Sequence, residues 1–302
     1  MKKLIYSIAI ILTALAASSC LHDVIEPESV IKDSTLEMND FDRWLEVNFL
    51  KPYNIEFKYR YALNESDKGY YTVPADVNSS IIYAHLVKYL CIDTYDEIAG
   101  VTFTRSYFPK MFFLIGTWEY KNNGSIVLGT AEAGKKIMLA GVNELPLVFQ
   151  YYSGAELDDY LNTYYIKTIH HEFTHILNQT IDYPVDFAMI TGTKYVADSW
   201  SDSPYNKEYL KNGFITDYAQ HSDTEDFAEM LSEYITHDEA WWNEQIKKAG
   251  NSGSLINAKL DIVRNYLMDA FNIDIDVLRA TVIRRQQDVF NGYVDLHSID
   301  IK

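Results

Sequence analysis

The sequence predicts an α+β fold: a small, mostly antiparallel sheet in the N-terminal half, a helix with a metal-binding pattern at the join, and a helical C-terminal half. Three observations lead there. Tyr53, Ile55, Phe57, Tyr59 and Tyr61 alternate with polar residues, the period of a half-buried strand. His171-Glu-Phe-Thr-His175 sets two histidines four apart, on one face of a helix. Between Asp238 and Val289 three helical patterns follow one another, broken at Gly250–Gly253 and at Asn272.

In chain order, Met1-Lys2-Lys3 and an apolar run from Leu4 to Ala17 make a secretory signal too short to span a membrane. Ala17-Ser-Ser-Cys20 resembles a bacterial lipobox. That resemblance implies cleavage after residue 19, acylation of Cys20 and anchoring at the cell envelope, with Leu21 favouring the outer membrane. Residues 20–37 read as an acidic, lipidated tether, and 38–302 as one domain, of which 250–302 is a helical C-terminal part. Asn39-Asp40 caps a helix with Phe41, Trp44, Leu45 and Phe49 on one face, which Pro52 is expected to stop.

A helix is expected from about Val77 to Cys91, where Cys91 is a buried small hydrophobe. Then come a strand over 110–120, the turn Asn122-Asn-Gly124, and strands at 125–128 and 136–140. The last of these is a candidate edge for pairing an extended peptide. Ser153-Gly-Ala-Glu156 has the form of a capping box for a short helix to Leu161, and the motif helix follows over about 164–179. Residues 180–213 lack periodicity but carry many aromatics, Trp200 among them. Asp223-Thr224 caps a helix to about Ile235 that buries Phe227, Met230, Leu231 and Tyr234.

Two imidazoles on one helical face can share a metal ion, and Glu172 between them can take a proton from water. The pattern with a third histidine in the same segment fails, because Asn178 and Ile181 stand where glycine and histidine are required. A carboxylate from a second helix is the alternative, and Glu225-Asp-Phe-Ala-Glu229 offers two on one face: one for the metal, one a turn later to orient a ligand imidazole. His170, next to His171, projects about 100° away and is read as a packing or surface residue. His221 is a possible cleft residue, as is Trp200.

Gly213-Phe-Ile-Thr-Asp-Tyr-Ala219, then Glu225-Asp-Phe-Ala-Glu229, after His-Glu-Phe-Thr-His, resembles the gluzincin metallopeptidases in their lethal-factor-like layout. With the lipobox, the chain looks like the zinc-binding metallopeptidase lipoproteins also called substrate-import-associated zinc metallohydrolases. The resemblance implies a zincin-like fold and a Zn2+ site of His171, His175 and Glu225. It also implies Glu172 as general base, Tyr218, seven residues before Glu225, as a transition-state partner, and Glu229 behind the ligands. It departs from thermolysin-like enzymes in the fifty or so residues between His175 and Glu225.

Removing Lys2 and Lys3 with the signal leaves 24 basic against 43 acidic residues, a net charge of −19. Such a chain has no electrostatic footprint for nucleic acid. The expected function is zinc-dependent peptide hydrolysis on a peptide or protein substrate, accessory to an outer-membrane nutrient-uptake complex. The rival reading is a weakly catalytic or non-catalytic accessory lipoprotein that holds a glycan or peptide on the aromatic loop.

Overall fold

The first described helix, α1 (residues 40–53), begins where the sequence places it. Asn39 and Asp42 cap it reciprocally, side chain to backbone amide in both directions, at 2.8 and 2.9 Å. It does not stop at Pro52. A π-helical turn, Glu46–Leu50, precedes the proline, and the helix continues to Tyr53. Asn54, left-handed at φ 55°, ends it. The computed structural model describes residues 37–67, 69–121, 124–132 and 134–301. The expected signal peptide, Cys20, nearly all of the expected tether, and Asn122 and Asn123 of the expected turn lie outside the described residues. Residues 39–302 form one compact unit.

The main sheet runs β1 (Glu56–Lys58), β2 (Met111–Leu114), β6 (Lys136–Leu139), β5 (Gly129–Glu132) in spatial order. The expectation of a mostly antiparallel sheet is corrected here: β1–β2 and β2–β6 are parallel, and β5 alone runs antiparallel, against β6. The alternation over 53–61 does decide which side chains are buried: Tyr53, Ile55, Phe57 and Tyr59 are, while Asn54, Glu56 and Arg60 are exposed. Only three of those residues join the ladder. The physical cue to parallel pairing lies in β2 and β6. Phe112, Leu114, Ile137 and Leu139 pack on one face of the sheet, Phe113, Ile115, Met138 and Ala140 on the other. Strands buried on both faces are continuous apolar runs, and Met111–Ile115 is one. A two-stranded ribbon, β3 (Glu119–Tyr120) with β4 (Ile126–Val127), leads straight into β5.

The expected peptide-pairing edge at 136–140 is also corrected. β6 lies inside the sheet, paired on both sides, and β5 is the edge strand next to it.

Between β1 and β2 the chain crosses over through α2 (residues 77–99) and α3 (Val101–Tyr107); α2 contains a π-helical turn, Val87–Ile92, and outruns its expected end at Cys91 by about two turns. After the sheet come α4 (Leu145–Tyr151) and the long α5 (residues 154–180), which joins the two helices expected separately through a π-helical turn, Asn162–Ile166. Ser153 precedes α5, but its side chain forms no cap. The stretch 180–213 is not an irregular loop: α6 (Asp186–Thr191) and α7 (Tyr205–Asn212) occupy it with short 3-10 turns between. Ser222, rather than Asp223, caps α8 (Asp223–Thr236), accepting from the Glu225 amide. Three helices close the chain, α9 (Glu239–Ala249), α10 (Gly253–Phe271) and α11 (Ile275–Phe290), with Asn272 left-handed at the break, as the sequence indicates. Among the described residues, no helix is long and apolar enough to cross a membrane.

Candidate metal centre

α5 and α8 face each other, and each brings one side chain per turn to the seam. From α5 come Lys167, His171 and His175; from α8 come Glu225, Glu229 and Glu233. Side chains four apart stack on one helical face, so the two rows meet rung by rung.

The first rung is the candidate metal centre. His171 Nε2 lies 3.0 Å from Glu225 Oε2, His175 Nε2 lies 3.2 Å from the same oxygen, and the two nitrogens are 3.1 Å apart. A tetrahedral zinc with bonds of about 2.0–2.1 Å separates its ligand atoms by about 3.3 Å. The triangle is therefore the right size for three such ligands, and N, N, O is a donor set zinc accepts. Its electrostatics favour a positive charge. Burial opposes charge on His171, but the Glu225 and Glu229 carboxylates overcome it and raise its pKa to about 10. Burial likewise opposes the charge on Glu225, yet its hydrogen bonds to His171 and His175 hold it well below the usual carboxylate range.

Behind the triangle, Glu229 Oε1 lies 2.8 Å from His171 Nδ1, an ion-pair contact out of line for a straight hydrogen bond. Lys167 Nζ bridges Glu229 and Glu233 at 3.1 and 3.0 Å, and Glu233 reaches His237 Nδ1 at 3.1 Å. Lys167, Glu233 and His237 were not picked out from the sequence, although the four-residue spacing of both rows is a signal that could have found them.

Glu172, one residue from the ligand face, turns toward the edge strand. Its carboxylate takes a hydrogen bond from the Ala131 backbone of β5, and burial raises its pKa. Gly129 explains how β5 comes so close: a Cβ there would stand 2.9 Å from Thr168 Cγ2 and 3.6 Å from Glu172 Cγ. Tyr218, in a 3-10 turn ahead of α8, places its ring 6.1 Å from that of His171. Burial and the Glu225 charge push its phenol far up, so it stays a donor. Trp200 meets the Tyr218 ring edge-on at 5.1 Å.

All of these line one cleft of about 810 Å3, bounded on one side by β4 and β5. His221 is not among its lining residues. It packs against Tyr218 at 5.7 Å, with Nε2 3.4 Å from Asp198. His170 projects away from the cleft, fully buried, with Nδ1 3.5 Å from Tyr95 and 3.9 Å from Cys91. Burial alone depresses its pKa to about 3, keeping it neutral.

A protein family described as "Putative zinc-binding metallo-peptidase" matches residues 34–276. The chain belongs to that family. It is similar to the crystal structure, at 2.10 Å resolution, of a putative zinc-binding metallo-peptidase from Bacteroides caccae ATCC 43185. Identity is 35% and the TM-score 0.71, over 90% of this chain and 100% of that one. No curated protein matches. A zinc-binding metallopeptidase family and a His, His, Glu triangle of ligand-like dimensions are two independent observations, one from the whole chain and one from three atoms.

Proposed function

We propose that the protein is a zinc-dependent peptidase of the gluzincin type, with His171, His175 and Glu225 as ligands. The observation that carries this reading is the convergence of those three atoms beside Glu172 and Tyr218, in a cleft whose wall is an unpaired strand edge. A zinc ion held there supplies a Lewis acid and makes water acidic enough to lose its proton near neutral pH.

The chain's own groups do the rest. An extended peptide pairs along β5, whose ladder side away from β6 faces the cleft. Glu172, desolvated and raised in pKa, takes the proton of the attacking water and passes it to the leaving amine. The Tyr218 hydroxyl donates to the oxygen that gains charge, a contribution typically worth about 2.7–4 kcal/mol. Glu229, held ionised by Lys167, fixes the orientation of the His171 ring.

The resemblance of residues 17–20 to a lipobox supports placing this activity at the cell envelope, tethered through a lipid on Cys20 and serving nutrient uptake at the outer membrane. The test pairs two substitutions. Glu172→Gln should keep full zinc content by elemental analysis while peptide hydrolysis falls by at least about 100-fold; near-normal hydrolysis rejects the mechanism. Glu225→Ala should lose bound zinc, and an unchanged stoichiometry removes it from the ligand set.

A further inference from the structure

The cleft holds a carboxylate for which the reaction above has no use. Glu119, on β3, is 1% exposed, lines the same cavity as His171 and Glu172, and its Oε1 has no hydrogen-bond partner among the described residues. A buried acid without a donor is costly to a fold unless something completes it. Asp67 and Tyr70 line the cavity beside it, and the Asp67 charge bears on Glu119 directly.

The surroundings say what would complete it. Among the described residues lining the cleft, eight are acidic and two are lysines. Lys167 is already engaged by Glu229 and Glu233, and Lys121 is exposed. Glu172, Glu225 and Glu229 belong to the candidate metal centre and Glu233 pairs with Lys167; of the four acids that remain, Asp67, Glu119, Asp159 and Asp217, it is Asp67 whose charge bears on Glu119, and no described cation forms an ion pair with either of those two.

Position follows from the ladder. Glu119 pairs with Val127, two residues ahead of Gly129, where β5 touches Glu172. Two residues of strand cover about 7 Å and one strand spacing about 5 Å. A peptide extended on β5, with its reacting carbonyl at Glu172, therefore sends a group two or three residues away toward Glu119.

We infer that Glu119, with Asp67 and Tyr70, is a subsite for a cationic nitrogen of the substrate, two to three residues from the cleaved bond. The nitrogen is a protonated amino terminus or a Lys or Arg side chain. This rests on the reading of the cleft as a peptide site. Burial and the Asp67 charge raise Glu119 to about 7, and an arriving cation would draw it back to its ionised form, making a charge-assisted hydrogen bond.

The experiment uses the full chain loaded with zinc and four synthetic peptides of one alanine-rich sequence. One has a free amino terminus and one is N-acetylated; the other two are N-acetylated with a single Lys at the second or third position from the scissile bond. In the wild type, at least one cationic peptide should exceed the acetylated neutral one about tenfold in kcat/KM. Glu119→Gln should collapse that ratio, and Asp67→Asn should reduce it, each with an unchanged circular dichroism spectrum. Loss of preference on acetylation alone identifies the terminus as the source; recovery by Lys identifies the side chain. A ratio near one in the wild type, or one untouched in both variants, overturns the proposal.

Calorimetric binding of the same peptides to Glu172→Gln, with and without Glu119→Gln, separates this subsite from hydrolysis itself. Weaker binding of the cationic peptide in the double variant sustains the subsite even if no peptide is cut. Equal binding rejects it.

Discussion

Three carboxylates in one cleft have three different protonation tendencies, and each follows from its neighbours. Glu225 is held ionised by two imidazoles, Glu172 is raised by burial against β5, and Glu119 rises to about 7 through burial and the Asp67 charge. Glu119 has a consequence for stability. Its folded pKa lies above the ordinary 4.5, so the folded state holds the proton more tightly than the unfolded chain. The stability tied to that proton is complete below about pH 4.5 and is lost as the pH rises through about 7. The other ionisable groups in its field, Tyr61 and Tyr70, stay protonated over that window. Glu119→Gln should therefore gain on the wild type between pH 5 and pH 8, by on the order of 2–3 kcal/mol in urea denaturation. Both proteins share the residues of the candidate metal centre, so the difference isolates this group; parallel pH profiles would contradict it. At this scale the sequence is legible where spacing carries the chemistry: His171, Glu172 and His175 by their helical period, Glu225 and Tyr218 by motif layout. Lys167 and Glu233 share that four-residue spacing, but Glu119 is not legible, because a charged residue taken alone is most often solvated and only the partner element reveals its burial.

Among the elements, α8 does more than present Glu225. Asp226, about 100° round the helix from Glu225, is fully buried with Lys259 of α10. Lys259 Nζ also donates to the Gly213 carbonyl at 3.0 Å and lies 4.0 Å over the Phe214 ring; Tyr195 donates to Asp226 at 2.9 Å. This pair ties α8, α10 and the segment leading to Tyr218 into one piece. Removing one partner leaves a buried charge, so Lys259→Met should cost about 3–5 kcal/mol. Adding Asp226→Asn should restore part of that loss, both measured by chemical denaturation; a cost below 1 kcal/mol for the single variant would mean the pair is not what holds the segment. The C-terminal helices could be read ahead of the structure because apolar period and stop signals agree there, Asn272 being both the break in the pattern and the left-handed residue. The sheet could not be read as well. Period-two alternation names the buried side chains of a strand but not the direction of its neighbour, and β1 found a parallel one. Helices of six and eight residues, α6 and α7, are too short to show a period against aromatics spread on every side.

For the molecule as a whole, the candidate metal centre lies on top of an apolar core to which both of its helices contribute. Phe173, Ile176 and Leu177 of α5 and Phe227, Met230 and Leu231 of α8 are buried in the main hydrophobic cluster, beneath the ligand rungs. A chelator should therefore abolish hydrolysis while leaving the far-UV circular dichroism spectrum within about a tenth of its starting value. A helical content that falls in step with zinc removal would show instead that the ion organises the fold.

The edge strand leaves one more mark on what this molecule can do. A main chain already bonded within its own helix or sheet has no free amides or carbonyls to offer β5, and a folded domain does not fit a cleft of about 810 Å3. For the peptidase proposed above, the cleft would act as a conformational filter, sensing how often a segment of its target comes loose rather than how much of the target is present. Cleavage of a folded protein should then track the opening equilibrium of the cut segment. Variants of one target destabilised locally by about 1.4 kcal/mol should be cut about tenfold faster when reclosing outpaces cutting, and rates indifferent to that stability would show that chains enter by another route.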